Sequence, residues 1–205
     1  MASIFKSDTT YDPIYLLLNA HDEQDRDHLT NRWKENKLAE LNFVGIVGAL
    51  LAGVLTSTGS WPNILPDGSP TPWTVRSCWY CGIILALLSV VTAAQQSIRL
   101  HRLSGHRDAE EKIRSLLSKK YTGADGQILP RIAQIYAWQL AVLFLTASVL
   151  AMFVGMFILI WSSTGRSPPG EPWWDQEAKM AVSFTVVATF TFGLFLAQQV
   201  TMFQT

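Results

Sequence analysis

Four stretches of this chain, Asn42–Thr58, Ser77–Ala94, Ile135–Trp161 and Met180–Ala197, contain no Asp, Glu, Lys, Arg or His. They are 17, 18, 27 and 18 residues long and helical in composition. A soluble two-layer domain spreads charge through its exposed faces and cannot leave such windows bare. Crossing a ~30 Å hydrocarbon core takes about 20 helical residues, with about 17 as the lower limit. The windows therefore predict four membrane-spanning helices, over about residues 42–60, 75–96, 133–161 and 179–200. At 1.5 Å per residue the third reaches roughly 40 Å and has to tilt or project from the bilayer. A transmembrane β-barrel would need short alternating segments, and these are absent. Only 16% of residues are charged, against about 25% in a typical soluble domain. Lys+Arg and Asp+Glu both number 16, and this balance leaves no basic excess for nucleic acid. The fold class expected is an all-α integral membrane protein, a bundle of four transmembrane helices.

Basic residues set the expected orientation. Five lie in residues 1–41 (Lys6, Arg26, Arg32, Lys34 and Lys37), and eight lie between spans two and three. The other two connections hold three, Arg76, Arg166 and Lys179. Thirteen against three places the N-terminus, the middle segment and the C-terminus in the cytosol. Trp61, Trp73, Trp79, Trp161, Trp173 and Trp174 then flank the outer ends of spans, as an aromatic belt does. The run Ile14–Leu18 is too short for a signal core, so span one is expected to act as the signal anchor.

Outside the membrane the chain divides into a cytosolic segment, 1–41, and the connections of the transmembrane domain, 42–205. Asp22–Leu41 reads as a charged helix that leads directly into span one, with no Gly or Pro to break it. Arg107–Tyr121 reads as a short amphipathic helix with Ala109, Ile113, Leu116 and Leu117 on one face. Its early acids and its final Lys119-Lys120 suit the helix dipole. Such a helix is expected to lie on an anionic leaflet, with contacts through residues 99–120. The outer connections are short: four prolines occur within Gly59–Pro72, and Pro168-Pro169 in the second. Neither is long enough to fold as a domain.

Catalytic equipment is scarce. There is no Gly-rich phosphate loop, zinc-protease motif or nucleophile elbow. The four histidines, His21, His28, His101 and His106, lie among charged residues at spacings that fit no familiar metal site. The acids near Asp22–Asp27 lack the glycine and closing Glu of a calcium loop. No enzyme activity, cofactor or metal is expected. The one redox-shaped motif is Cys78-Trp-Tyr-Cys81, since a Cys-x-x-Cys pair near a helix N-terminus can close reversibly. In position it resembles the bacterial quinone-linked disulfide oxidase family: four spans, a cytosolic N-terminus, and this pair at the outer end of span two. That family passes electrons through a second cysteine pair in its other outer loop, whereas Ser162–Ala178 contains none. A packed thiol pair is the alternative reading.

Span one is the most informative segment. At about 100° per residue one stripe reads Asn42, Gly45, Ala49, Gly53, Thr56 and Ser60, and Gly48 and Ala52 widen it. The opposite side reads Phe43, Val47, Leu50, Leu51 and Val54. Gly45-x-x-x-Ala49-x-x-x-Gly53 is a small-xxx-small pattern suited to close helix packing. It also suits a helix lining a pore around a symmetry axis. No charge lies within any of the four apolar windows, which counts against a coupled transporter or an acidic selectivity ring.

The stretches Arg32–Pro62, which opens Arg32-Trp-Lys-Glu-Asn-Lys-Leu and runs through span one, and Pro72-Trp-Thr-Val-Arg-Ser-Cys-Trp-Tyr-Cys81 resemble uncharacterised four-span membrane proteins of filamentous fungi. That resemblance spans roughly residues 12–205 and implies a layout but no activity. The layout is also similar to that of store-operated calcium channel subunits, which carry an acidic selectivity residue in span one. Here the nearest acid is Glu40, at the cytosolic end. Four helices leave little room for an internal aqueous path, so conduction would need several copies. The leading expectation is a homo-oligomeric channel or pore with span one nearest the axis. The alternatives are a tetraspan membrane-organising scaffold and a thiol oxidoreductase using Cys78 and Cys81.

Overall fold

The computed structural model describes residues 8–59, 72–122, 128–164, 174 and 176–202. Among them the order is α1 (Asp8–Asn19), α2 (Glu23–Gly59), α3 (Trp73–Ser104), α4 (Ala109–Leu117), β1 (Ser118–Thr122), β2 (Ile128–Pro130), α5 (Ile132–Thr164) and α6 (Gln176–Met202). Four of the helices, α2, α3, α5 and α6, are long and apolar enough to cross a membrane. Large apolar side chains stay exposed along all four, including Phe43, Leu87, Phe153 and Phe190. A bilayer is the solvent that suits such a surface. The proline-rich stretch with Trp61, and the stretch with Arg166 and Trp173, lie outside the described residues.

The helices outrun their charge-free windows. α2 is one helix of 37 residues, so the charged stretch after Asp22 and span one are continuous, as the lack of a breaker predicts. α3 runs on to Ser104, and α5 covers 33 residues. Contacts sort the chain into two units, each with its own core.

The first unit comprises the described parts of Met1–Leu50 and Leu85–Thr146. Its core joins Ile14 and Leu17 of α1, Leu41 of α2, Leu100 of α3, Ile113 of α4 and Trp138 of α5. Between α3 and α5, the Ser89 hydroxyl donates to the Ala141 carbonyl at 2.8 Å. The buried hydroxyl thus finds its partner on another helix.

The run read from sequence only as too short for a signal core is helix α1. Ile14, Leu17 and Leu18 recur at helical spacing and are all buried. Asn19 closes the helix and holds β2. Its side-chain amide donates to the Tyr15 carbonyl and to the Ile128 carbonyl, both at 3.0 Å. Its side-chain oxygen accepts from the Ile128 N–H at 2.9 Å. One side chain therefore pairs both backbone groups of an edge residue, as a neighbouring strand would.

The amphipathic helix is shorter than expected and faces elsewhere. It ends at Leu117 instead of Tyr121, because Ser118 turns extended (φ −79°, ψ 148°). Ser118–Thr122 then pairs antiparallel with Ile128–Pro130, with an irregular register. The Arg131 N–H donates to the Leu117 carbonyl at 2.8 Å, so this end of the helix is satisfied across the hairpin rather than along its own axis. The apolar face of α4 turns inward. Ala109, Ile113 and Leu117 are buried in the unit's own core, where α1 supplies the apolar surface that lipid was expected to supply. Two polar contacts fix α4 antiparallel to α2: Arg114 pairs with Asp27, and the Asn31 amide donates to Glu110 at 3.1 Å.

The second unit comprises the described parts of Leu51–Ile84 and Ala147–Thr205. Leu55, Val75, Trp79 and Leu159 form its core. The Ser148 hydroxyl donates to the Gly82 carbonyl at 2.7 Å. Trp79 corrects the aromatic-belt expectation. Trp73, Trp161 and Trp174 are exposed, but Trp79 is only 4% exposed. Gly155 makes room for it: a Cβ there would stand 3.2 Å from the indole nitrogen. On α6, Thr185 accepts a hydrogen bond from the Trp161 N–H at 3.1 Å.

Candidate functional site

α2 carries three faces, not two. The residues it turns toward the rest of the chain are Leu41, Val44, Gly48, Ala52 and Leu55, all buried. On a helical wheel this face lies roughly 100° from the small-residue stripe and roughly 115° from the bulky face. Gly48 and Ala52 therefore belong to internal packing rather than to the stripe. A Cβ on Gly48 would meet Val90 Cγ2 at 3.0 Å and the Ala86 carbonyl oxygen at 3.4 Å. The bulky face points outward, with Phe43, Leu50 and Val54 at least half exposed.

The predicted stripe is likewise left uncovered. Asn42, Ala49, Gly53 and Thr56 are exposed and Gly45 is half-buried. A Cβ on Gly45 or Gly53 would meet nothing within 4 Å. Ser60 lies outside the described residues. The stripe thus does not serve to pack this chain on itself. The Thr56 hydroxyl donates to the Ala52 carbonyl at 2.7 Å and the Ser57 hydroxyl to the Val54 carbonyl at 2.9 Å. These hydroxyls are satisfied by their own helix, so the outward face has no unmet hydroxyl to penalise contact with an apolar neighbour. In the first unit, Asn42, Gly45 and Ala49 form one wall of an open groove of about 660 Å³, and Ala93, Ala94 and Ser97 of α3 form the other.

The cysteines have different surroundings although they share a helix. Cys78 is half-buried and Cys81 exposed, both with free thiols. A Cβ on Gly155 would stand 3.1 Å from the Cys78 Cβ, so Cys78 is part of the α3–α5 contact. The described residues bring together no group of three or more His, Cys, Asp or Glu able to hold a metal.

Sequence reasoning passed over one other place. Trp33 and Trp138, the two tryptophans away from the expected outer ends, meet edge to face with ring centroids 5.9 Å apart. They line a groove between α1, α2 and α5. Their shared exclusion from the outer belt was the available signal. Without α1, whose burial only the tertiary structure reveals, the groove has no third wall.

Comparison with protein-family models, with curated proteins and with solved structures finds no match for this chain.

Proposed function

We propose that this chain is one subunit of a homo-oligomeric membrane channel or pore, with α2 nearest the symmetry axis. A single observation carries it: the small-residue face of α2 is uncovered from Asn42 to Thr56 while a separate face does the internal packing. A neighbouring copy can approach closely over Gly45 and Gly53, and water can occupy what space remains. The test combines oligomer size in mild detergent with ion flux in liposomes. Thr56→Asp and Ala49→Leu are expected to keep the wild-type oligomer. Thr56→Asp should raise cation flux several-fold, since a carboxylate is tolerable where it is hydrated. Ala49→Leu should lower it by narrowing the path.

The scaffold reading draws on the same glycines, because open space at Gly45 and Gly53 equally suits a dry helix–helix contact. It takes over if the wild type passes no ions and both variants fall to monomers.

The orientation proposed with this function has both termini, α4 and the hairpin in the cytosol, and no redox chemistry at the cysteines. A Cys78→Ser, Cys81→Ser background is expected to keep assembly and flux. Single cysteines introduced on it within Gly59–Pro72 should label only from outside. Labelling of Lys112→Cys from outside would overturn the orientation.

A further inference from the structure

The groove that holds Trp33 and Trp138 has a volume of about 430 Å³. Pro13, Ile14 and Leu16 of α1 bound one side, a stretch of α2 from Leu29 to Glu40 the second, and Ile135 and Trp138 of α5 the third. Its walls differ in chemistry. Ile14, Leu16, Leu29 and Ile135 make an apolar side, with Leu16 59% exposed. Arg32, Asn36 and Lys37 make a polar one.

The charges at the groove are Arg32, Lys37 and Glu40. Lys37 is spent on Glu40, at 2.8 Å. Arg32 is exposed and has no hydrogen bond or ion pair among the described residues. The net charge is positive, and the free cation is a guanidinium, whose fork of donors matches a phosphate. Trp138 adds a second unmet group. It is 3% exposed, and its indole N–H has no hydrogen-bond partner. A buried donor without an acceptor is costly.

The groove also lies at the right level. Ile135 opens the charge-free window of α5, and Glu40 precedes that of α2 by two residues. Arg32 stands about 15 Å before Asn42 at 1.5 Å per residue, and its long side chain recovers part of that distance. The groove therefore runs outward from the edge of the hydrocarbon through the headgroup layer.

We propose that this groove binds the headgroup of one anionic phospholipid, with the phosphate on Arg32 and an acyl chain against Leu16 and Ile135. The apolar wall favours a lipid over a free anion, which would have no use for it. The site is separate from the basic side of α3, where Arg99, Arg102 and His106 line a different groove.

Native mass spectrometry of the full chain in mild non-ionic detergent tests this, with phosphatidylglycerol and phosphatidylcholine as probes. Wild type is expected to retain one phosphatidylglycerol per chain in preference to phosphatidylcholine. Arg32→Gln should weaken that retention about ten-fold, the size of one charge-assisted hydrogen bond. Arg99→Gln, on the basic side of α3, should leave it unchanged. Arg32 is exposed, so its substitution does not threaten the fold, and the wild-type preference is read independently of it. Equal retention of the two lipids by wild type overturns the proposal. So does retention that survives Arg32→Gln or is lost equally in Arg99→Gln. Displacement of the lipid by millimolar glycerol phosphate would make this a site for soluble anions and would overturn it as well.

Discussion

Gly48→Leu is expected to abolish recovery of a folded chain, while Gly53→Leu, five residues along the same helix, is expected to purify like wild type. The contrast rests on what surrounds each position. At Gly48 a Cβ alone would already stand 3.0 Å from Val90 Cγ2 and 3.4 Å from the Ala86 carbonyl oxygen. The second of these is backbone, which cannot swing aside. A leucine adds three further carbons in that direction, and overpacking of this kind costs about 3 kcal/mol or more. At Gly53 nothing lies within 4 Å, and exchanging glycine for leucine improves helix propensity. Size-exclusion profiles after a heating series would read both variants. A monodisperse, wild-type-like Gly48→Leu would show that α2 does not pack on α3 through this glycine. The oligomer size of Gly53→Leu then bears on function, since a dry contact between copies rejects the bulk and a water-facing stripe accepts it.

Ile113→Asp is expected to be nearly as damaging. Ile113 is 1% exposed and shares a core with Ile14, Leu17, Leu100 and Trp138. A carboxylate placed there would sit among apolar side chains, and an uncompensated buried charge costs about 3–5 kcal/mol. Thermal stability in detergent should fall steeply, while Glu111→Gln, on the exposed side of α4, should not change it. A helix resting on a lipid surface would behave differently: Ile113→Asp would weaken membrane contact and leave detergent stability intact. The two placements of α4 are therefore separated by one melting series.

What the sequence determined by itself is the set of helices long and apolar enough to cross a membrane. Absence of charge over 17 or more residues is a one-dimensional property, and a hydrocarbon solvent reads it without reference to any tertiary contact. The continuity of α2 was legible for a similar reason, because helix breakers act locally. The sorting of small from bulky residues along span one was visible too. Which face meets the rest of the chain was not. Leu41, Val44, Gly48 and Leu55 lie between the two faces that composition distinguishes, and only tertiary neighbours select them, such as Ala86 and Val90 at Gly48 and Gly82 at Leu55. Apolar residues are acceptable to lipid and to protein alike, so hydropathy cannot choose between those neighbours. The same ambiguity hid α1, the inward turn of α4 and the burial of Trp79. In each case an apolar side chain had two favourable destinations, and the tertiary structure supplied a packed protein surface where the sequence alone allowed a bilayer.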